Sequence, residues 1–175
     1  MKLASKERRM SHELRSVVLD VIDALPEVAM IAFDRHLDVV GSSRKAQALH
    51  PIYLPGTNIA RFAYLTGHTN RDLQDWDQKA DLITSALRSS LSRYPEDGVF
   101  LDLVGELTAG SDVFARSWAL NTVAAGNTAI LIRHPDVGEL RLDQRQVPLG
   151  ENSEDTLVFW TGSDTSSASK LASLG

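Results

Sequence analysis

The 175-residue sequence has no cysteine. That absence removes disulfides, thiol redox sensing, cysteine-ligated zinc and sulfur-linked flavin or chromophore attachment together. No apolar run approaches the ~20 residues of a membrane helix, and the opening MKLASKERRM lacks the apolar core of a secretory signal. The expectation is a cytoplasmic protein that neither crosses nor enters a bilayer. Catalytic signatures are missing as well. There is no Gly-x-Ser-x-Gly elbow, no Gly-x-x-x-x-Gly-Lys phosphate loop, no Gly-x-Gly-x-x-Gly and no His-Glu-x-x-His. His12, His36, His50, His68 and His134 share no ligand-like spacing, so neither a metal nor a cofactor is expected. Ser42-x-x-Lys45 and Ser167-x-x-Lys170 match a serine acyl-enzyme pattern formally, but without its companion motifs both read as coincidence.

Basic residues are also in deficit, 18 against 23 acidic, for a formal charge of −5. The deficit is uneven: Lys2, Lys6, Arg8, Arg9 and Arg15 face only Glu7 and Glu13, so residues 1–15 carry +3 and the remainder −8. Binding to phosphates needs clustered Lys and Arg, so the body of the chain is a poor nucleic-acid binder, and residues 1–10 read as a basic linker or tail. What is present is ordinary for a globular domain: 43% hydrophobic and 23% charged residues, in a length suited to one domain with an appended helix.

Periodicity orders the chain. Leu14, Val17, Val18, Val21, Ile22 and Leu25 fall at helical spacing behind a Ser11 N-cap and before Pro26, predicting one amphipathic helix over 11–25. VAMIAFDRHLDVVGSS then suits a hairpin. A short helix follows over 45–50, ended by Pro51, and LPGTN caps another over 59–65. Trp76, Ala80, Ile83, Leu87 and Leu91 form one stripe that YPEDG stops, and Phe100, Leu103, Val104 and Leu107 repeat it. Gly110 and Ser111 read as a C-terminal cap and the next N-cap, after which Phe114 and Trp118 sit one turn apart. TAILIRH, ELRLDQRQV and TLVFWTG then alternate apolar residues, predicting three antiparallel strands before a small, polar tail over 164–175 that frays as a helix. The fold class is α+β.

The stretch IRHPDVGELRLD puts a histidine, three acidic residues and a glycine close together. Between two strands, Pro135, Asp136 and Gly138 have backbone duties in a turn. Glu139, Arg141 and Asp143 alternate with Leu140 and Leu142 and so face away from the apolar side. A catalytic carboxylate pair would converge on a cleft instead. His134 alone is left as a residue whose ring turns inward.

This order of elements resembles a PAS-like sensor. More narrowly, VIDALPEVAMIAFDRHLDVV, NIARFAYLTG, RDLQDWDQKA, ALRSSLSRYPED, LVGELTAGSDVFARSW and RHPDVGELRLD resemble the MmyB-like ligand-binding domain that lies behind an XRE-type helix-turn-helix in actinobacterial transcription regulators. LVGEL, the Ser111, Phe114 and Trp118 set and HPDVGEL are specific in combination. The family usually carries a Trp-Asn pair where Ser42 and Ser43 stand, and a basic residue before the strand that here reads NTAILIRHP. The resemblance implies a PAS-like five-stranded antiparallel sheet with helices inserted between strands two and three, plus the N-terminal helix, over residues 11–163. The ten or so residues ahead of the first helix are too few for a helix-turn-helix bundle, so that domain is expected to be absent from this chain.

The resemblance further implies a non-enzymatic effector-binding sensor. Its ligand would be a small hydrophobic molecule of fatty-acyl character, and its occupancy would act on DNA only through a partnered helix-turn-helix domain, with a homodimer as the usual assembly. Phe33, Phe62, Trp76, Ile83, Phe114, Trp118, Ile132, Leu142 and Phe159 are the large side chains on buried-looking faces that would line such a pocket. Arg61 and His134 are candidates to hold a carboxylate headgroup. A rival reading makes the chain a homodimerisation or protein-interaction module with a filled core and no ligand; a hydrolase using Ser42 and Lys45 ranks far behind.

Overall fold

The computed structural model describes residues 2–66, 76–120, 129–149 and 155–175, with side chains from residue 13 and, in the second segment, from residue 80. Helix α1 (Lys2–Ala24) leads into strands β1 (Met30–Phe33) and β2 (Val39–Ser42). Helix α2 (Arg44–Leu49) and a 3-10 turn (Pro51–Tyr53) precede α3 (Ile59–Leu65), α4 (Trp76–Arg93), α5 (Gly98–Gly110) and α6 (Asp112–Leu120). Strands β3 (Ala129–His134), β4 (Gly138–Pro148) and β5 (Thr156–Gly162) then lead to α7 (Thr165–Ser173). The five strands form one antiparallel sheet in the order β2-β1-β5-β4-β3. The fold is therefore the α+β, PAS-like arrangement that the sequence predicts, with α2 to α6 inserted between β2 and β3.

Two boundaries differ from the periodic pattern. Helix α1 begins at Lys2, nine residues earlier than the apolar spacing suggests, because its first turns are built from good helix formers that carry no apolar stripe to announce them. Residues 164–175 are no frayed tail either. Asp164 caps α7 by accepting the Ser167 N–H at 2.7 Å, and Leu171 and Leu174 are buried against the sheet. Lys45, itself buried, donates to the carbonyls of Ala172 and Leu174 and lies 3.1 Å from Glu27. A lysine thereby satisfies the orphan carbonyls at the helix end.

The core has three parts. On one sheet face Ile31, Val39, Ile132, Leu140, Leu142, Val158 and Trp160 pack with α2 and α7. On the other, Met30 and Ala32 meet Ile22 and Val18 of α1, with Leu157 and Phe159 beside them. Gly41 lets α1 approach this closely, since a Cβ there would lie 2.2 Å from Leu19 Cδ2. Helices α3 to α6 build the third part around Phe100, Leu103, Leu107 and Phe114. A buried polar relay threads it: the Tyr64 hydroxyl donates to the Ala80 carbonyl at 2.8 Å and lies 2.9 Å from Thr84, while the Ser117 hydroxyl donates to Asp81 at 3.0 Å. Burial raises the Tyr64 pKa to about 12, so the phenol stays neutral.

Candidate functional site

Among the described residues, three side chains belong to both the sheet core and the helical core: Phe33, Tyr53 and Ile59. Each sits where an element stops or starts. Phe33 ends β1, just beyond an irregularity in the pairing with β2. Tyr53 ends a 3-10 turn that opens on Pro51 and is capped by His50, whose Nδ1 accepts the Ile52 N–H at 3.1 Å. Ile59 begins α3 behind Asn58, whose side-chain oxygen accepts the Arg61 N–H at 2.9 Å and whose amide donates to the His36 carbonyl and to Asp38, each at 2.8 Å. The seam is thus fixed from both sides by caps rather than by long elements.

Aromatic rings wall it. Tyr53 lies 4.5 Å from Trp160, centroid to centroid, and His50 sits edge-on between Tyr53 at 6.1 Å and Phe62 at 5.8 Å. The Trp160 indole N–H is satisfied by Gln144 at 3.1 Å. Tyr53 differs. Burial pushes its hydroxyl well above the ordinary tyrosine value, although the residue as a whole is only partly buried. Among the described residues the Tyr53 hydroxyl makes no hydrogen bond, whereas a buried tyrosine O–H ordinarily finds a partner.

The residues singled out from sequence divide over the three cores. Phe33, Ile132 and Leu142 lie with the sheet, and Phe62, Ile83, Phe114 and Trp118 with the helices, Phe33 being common to both. Phe159 is corrected to the opposite face, beneath α1. Strand β5 is covered on both sides, so both of its alternating sets are apolar and the pattern alone does not tell inward Trp160 from outward Phe159. The Trp76 side chain lies outside the described residues, as does His68.

Arg61 is exposed, and its Nε donates to Glu106 at 2.8 Å. His134 does turn inward, but its ring is spent on structure: Nε2 reaches the Ala48 carbonyl at 2.9 Å and Nδ1 accepts the Asp136 N–H at 3.1 Å, fixing the turn in which Gly138 adopts φ +74. Tyr53, His50, Ile59 and Trp160 were not among the sequence candidates. The signal for Tyr53 is its place in HPIYLPG, where two prolines hold a short turn against the core.

Neither serine–lysine pair is assembled for acyl transfer. Lys45 is held by α7 carbonyls, Ser167 Oγ accepts the Arg141 N–H at 3.0 Å, and Lys170 donates to the Glu139 carbonyl. Asp34, His36 and Asp38 bring ligand-type atoms within 4.8 Å of one another. They are already committed, however: Asp34 accepts the N–H groups of His36 and Asp38, and His36 lies 3.0 Å from Asp97. An open surface recess of about 640 Å³ beside them is lined by Arg35, Tyr94, Pro95, Glu96, Asp97 and Gly98.

Asp97 ties this region together, capping α5 through the Val99 and Phe100 N–H groups while Arg35 donates to it at 2.8 Å. Burial acts to raise its pKa, but hydrogen bonds from His36 and Arg35 outweigh this and hold it below the usual value. A carboxyl with a depressed folded pKa contributes stability above its unfolded pKa and loses that contribution as pH falls through the folded one. Asp97→Asn is therefore expected to cost about 2 kcal/mol at neutral pH. Urea titrations from neutral pH downward should show the gap to the wild type closing below the ordinary carboxylate range; a gap independent of pH would contradict this.

The family model of the MmyB-like transcription regulator ligand binding domain matches residues 14–174. The chain belongs to that family. No curated protein matches it. An MmyB-like domain is a ligand-binding part of a transcription regulator. Among the described residues no helix is long and apolar enough to cross a membrane.

Proposed function

We propose that this MmyB-like domain is a cytoplasmic sensor without catalytic activity that holds a small hydrophobic effector, of fatty-acyl type, at the seam of Phe33, Tyr53 and Ile59. Its occupancy modulates DNA binding by an XRE-type helix-turn-helix domain partnered with it, in a homodimer. The reading is carried by the Tyr53 hydroxyl, a donor held in an apolar surround with no hydrogen-bond partner among the described residues. Leaving such a group unmatched costs ~1–3 kcal/mol, and a carboxylate or carbonyl oxygen on an effector offsets that cost while its apolar part lies against Phe62 and Trp160. Tyr53 thus replaces Arg61 and His134 as the favoured headgroup contact.

A ligand that prefers one packing of sheet against helices shifts the population toward it, and α1, lying on the sheet's other face, carries the change outward. Native mass spectrometry and thermal shift against a chain-length series of saturated fatty acids test the proposal. Binding is expected, with Tyr53→Phe weakening it about tenfold, one hydrogen bond's worth, while leaving the unliganded melting temperature unchanged or higher. A chain that neither carries nor responds to any acyl ligand, or a Tyr53→Phe variant of unaltered affinity, would count against it.

A further inference from the structure

Beside the unpartnered Tyr53 hydroxyl stands a second donor with hydrogens to give. Gln144 of β4 lies directly across from Trp160 of β5, on the sheet face where Leu140 and Leu142 are buried. Its Oε1 accepts the Trp160 indole N–H at 3.1 Å, and because an indole nitrogen only donates, that contact fixes which end of the amide faces the ring. The Gln144 Nε2 group then makes no hydrogen bond among the described residues. Tyr53, whose ring lies 4.5 Å from that of Trp160, and Gln144 thus border the same indole, each a neutral donor.

Positive charge is directed elsewhere. On β1, the 3-10 turn, α3, β4 and β5 the described basic side chains are Arg61, Arg141 and Arg145. Arg61 is exposed and paired with Glu106. Arg141 and Arg145 alternate with Leu142 and Gln144 and are exposed on the opposite sheet face, where Arg145 stands across from Phe159. Arg35 forks onto Asp97, and Lys45 is held by the carbonyls of Ala172 and Leu174. His50 is neutral, because its Nδ1 accepts the Ile52 N–H. An ionised carboxylate brought here from water gives up its hydration and gains no counter-charge. A carbonyl oxygen, with two lone pairs and no charge, matches two neutral donors. We infer that the effector's head is an uncharged carbonyl received by Tyr53 and Gln144, so that the domain selects an acyl ester over the ionised acid of the same chain length. This rests on the effector reading above and adds to it the chemical class of the head.

Isothermal titration of the whole chain with methyl decanoate and with decanoic acid tests the inference, from about pH 6 to about pH 8, a range in which a carboxylic acid is mostly ionised. At the upper end the ester should bind at least tenfold more tightly than the acid, with an affinity independent of pH. The acid, bound only through its protonated minority, should weaken by about tenfold per pH unit. An acid affinity that is flat with pH and equal to the ester's or greater would overturn the inference and leave the effector reading standing. A pH dependence shared by the ester would place the titrating group on the protein and also overturn it. A chain that binds neither compound sinks both readings. Gln144→Glu keeps an oxygen for the Trp160 indole but loses the donor. Its ester affinity should fall about tenfold, one hydrogen bond's worth, while the Trp160 indole N–H resonance stays in place; an unaltered ester affinity would overturn the two-donor head site.

Discussion

Phe114→Ala is expected to lower the unfolding free energy by about 4 kcal/mol, among the larger losses available to a single truncation. Phe114 is fully buried, with Tyr64 edge-on at 5.0 Å and Trp118 nearly parallel at 5.5 Å. Alanine there deletes an aromatic side chain and leaves a void among helices that are pinned from elsewhere. The Tyr64, Thr84, Ser117 and Asp81 relay joins α3, α4 and α6, and Arg88 donates to the Trp118 carbonyl at 2.6 Å while stacking over its ring. Pinned helices relax poorly into a void, and poor relaxation is what makes such a truncation costly. Urea unfolding should show the midpoint falling with little change in slope, and small aromatic solutes should restore part of the loss by filling the space. A cost below about 1 kcal/mol would mean that the helices close up and that the relay does not hold them.

The second large effect arises from adding an atom. A Cβ at Gly162 would lie 2.2 Å from the backbone nitrogen of Ala168 and 2.5 Å from its Cα. A flexible side chain could swing aside, but the first turn of α7 cannot without losing its cap, since Asp164 accepts the Ser167 N–H and Ser167 in turn accepts the N–H of Arg141 in β4. Gly162→Ala is therefore expected to cost about 3 kcal/mol, at the upper end for overpacking, and to lower the melting temperature by roughly 6–12 °C for a chain of this length. Because the displaced element carries Leu171 and Leu174, exchange of the α7 amides should accelerate more than that of α5. Unchanged protection of α7 would show that the clash is absorbed within β5.

Helices α2 to α6 and all five strands were legible because each carries a period and a terminator that agree: Asn58 ahead of α3, YPEDG after α4, HPDVG between β3 and β4. The first turns of α1 and the docking of α7 were not. Lys45 looks like a surface residue until the fold sets it among the carbonyls of Ala172 and Leu174, a contact across more than a hundred residues that no local pattern encodes. The candidate site was half legible for a related reason. Large apolar residues such as Phe62 and Phe114 announce a core, but the seam depends on which side chains join the two cores, and that is decided by the ends of short elements carrying Phe33, Tyr53 and Ile59. Face assignment failed at Phe159 because a strand covered on both sides gives up the alternation that would orient it.

The sheet order has a consequence for biogenesis. Strand β5 lies between β1 and β4 and pairs with both, yet it is the last strand to leave the ribosome. Until then β1–β2 and β3–β4 are separate hairpins, each with an open inner edge on which N–H and C=O groups stand ready for a neighbouring chain. Joining them late, through contacts remote in sequence, slows folding and prolongs that exposure. Nascent or truncated chains that stop short of Thr156 should therefore aggregate or engage chaperones, and the insertion of a single seven-residue strand converts two vulnerable ribbons into one finished sheet.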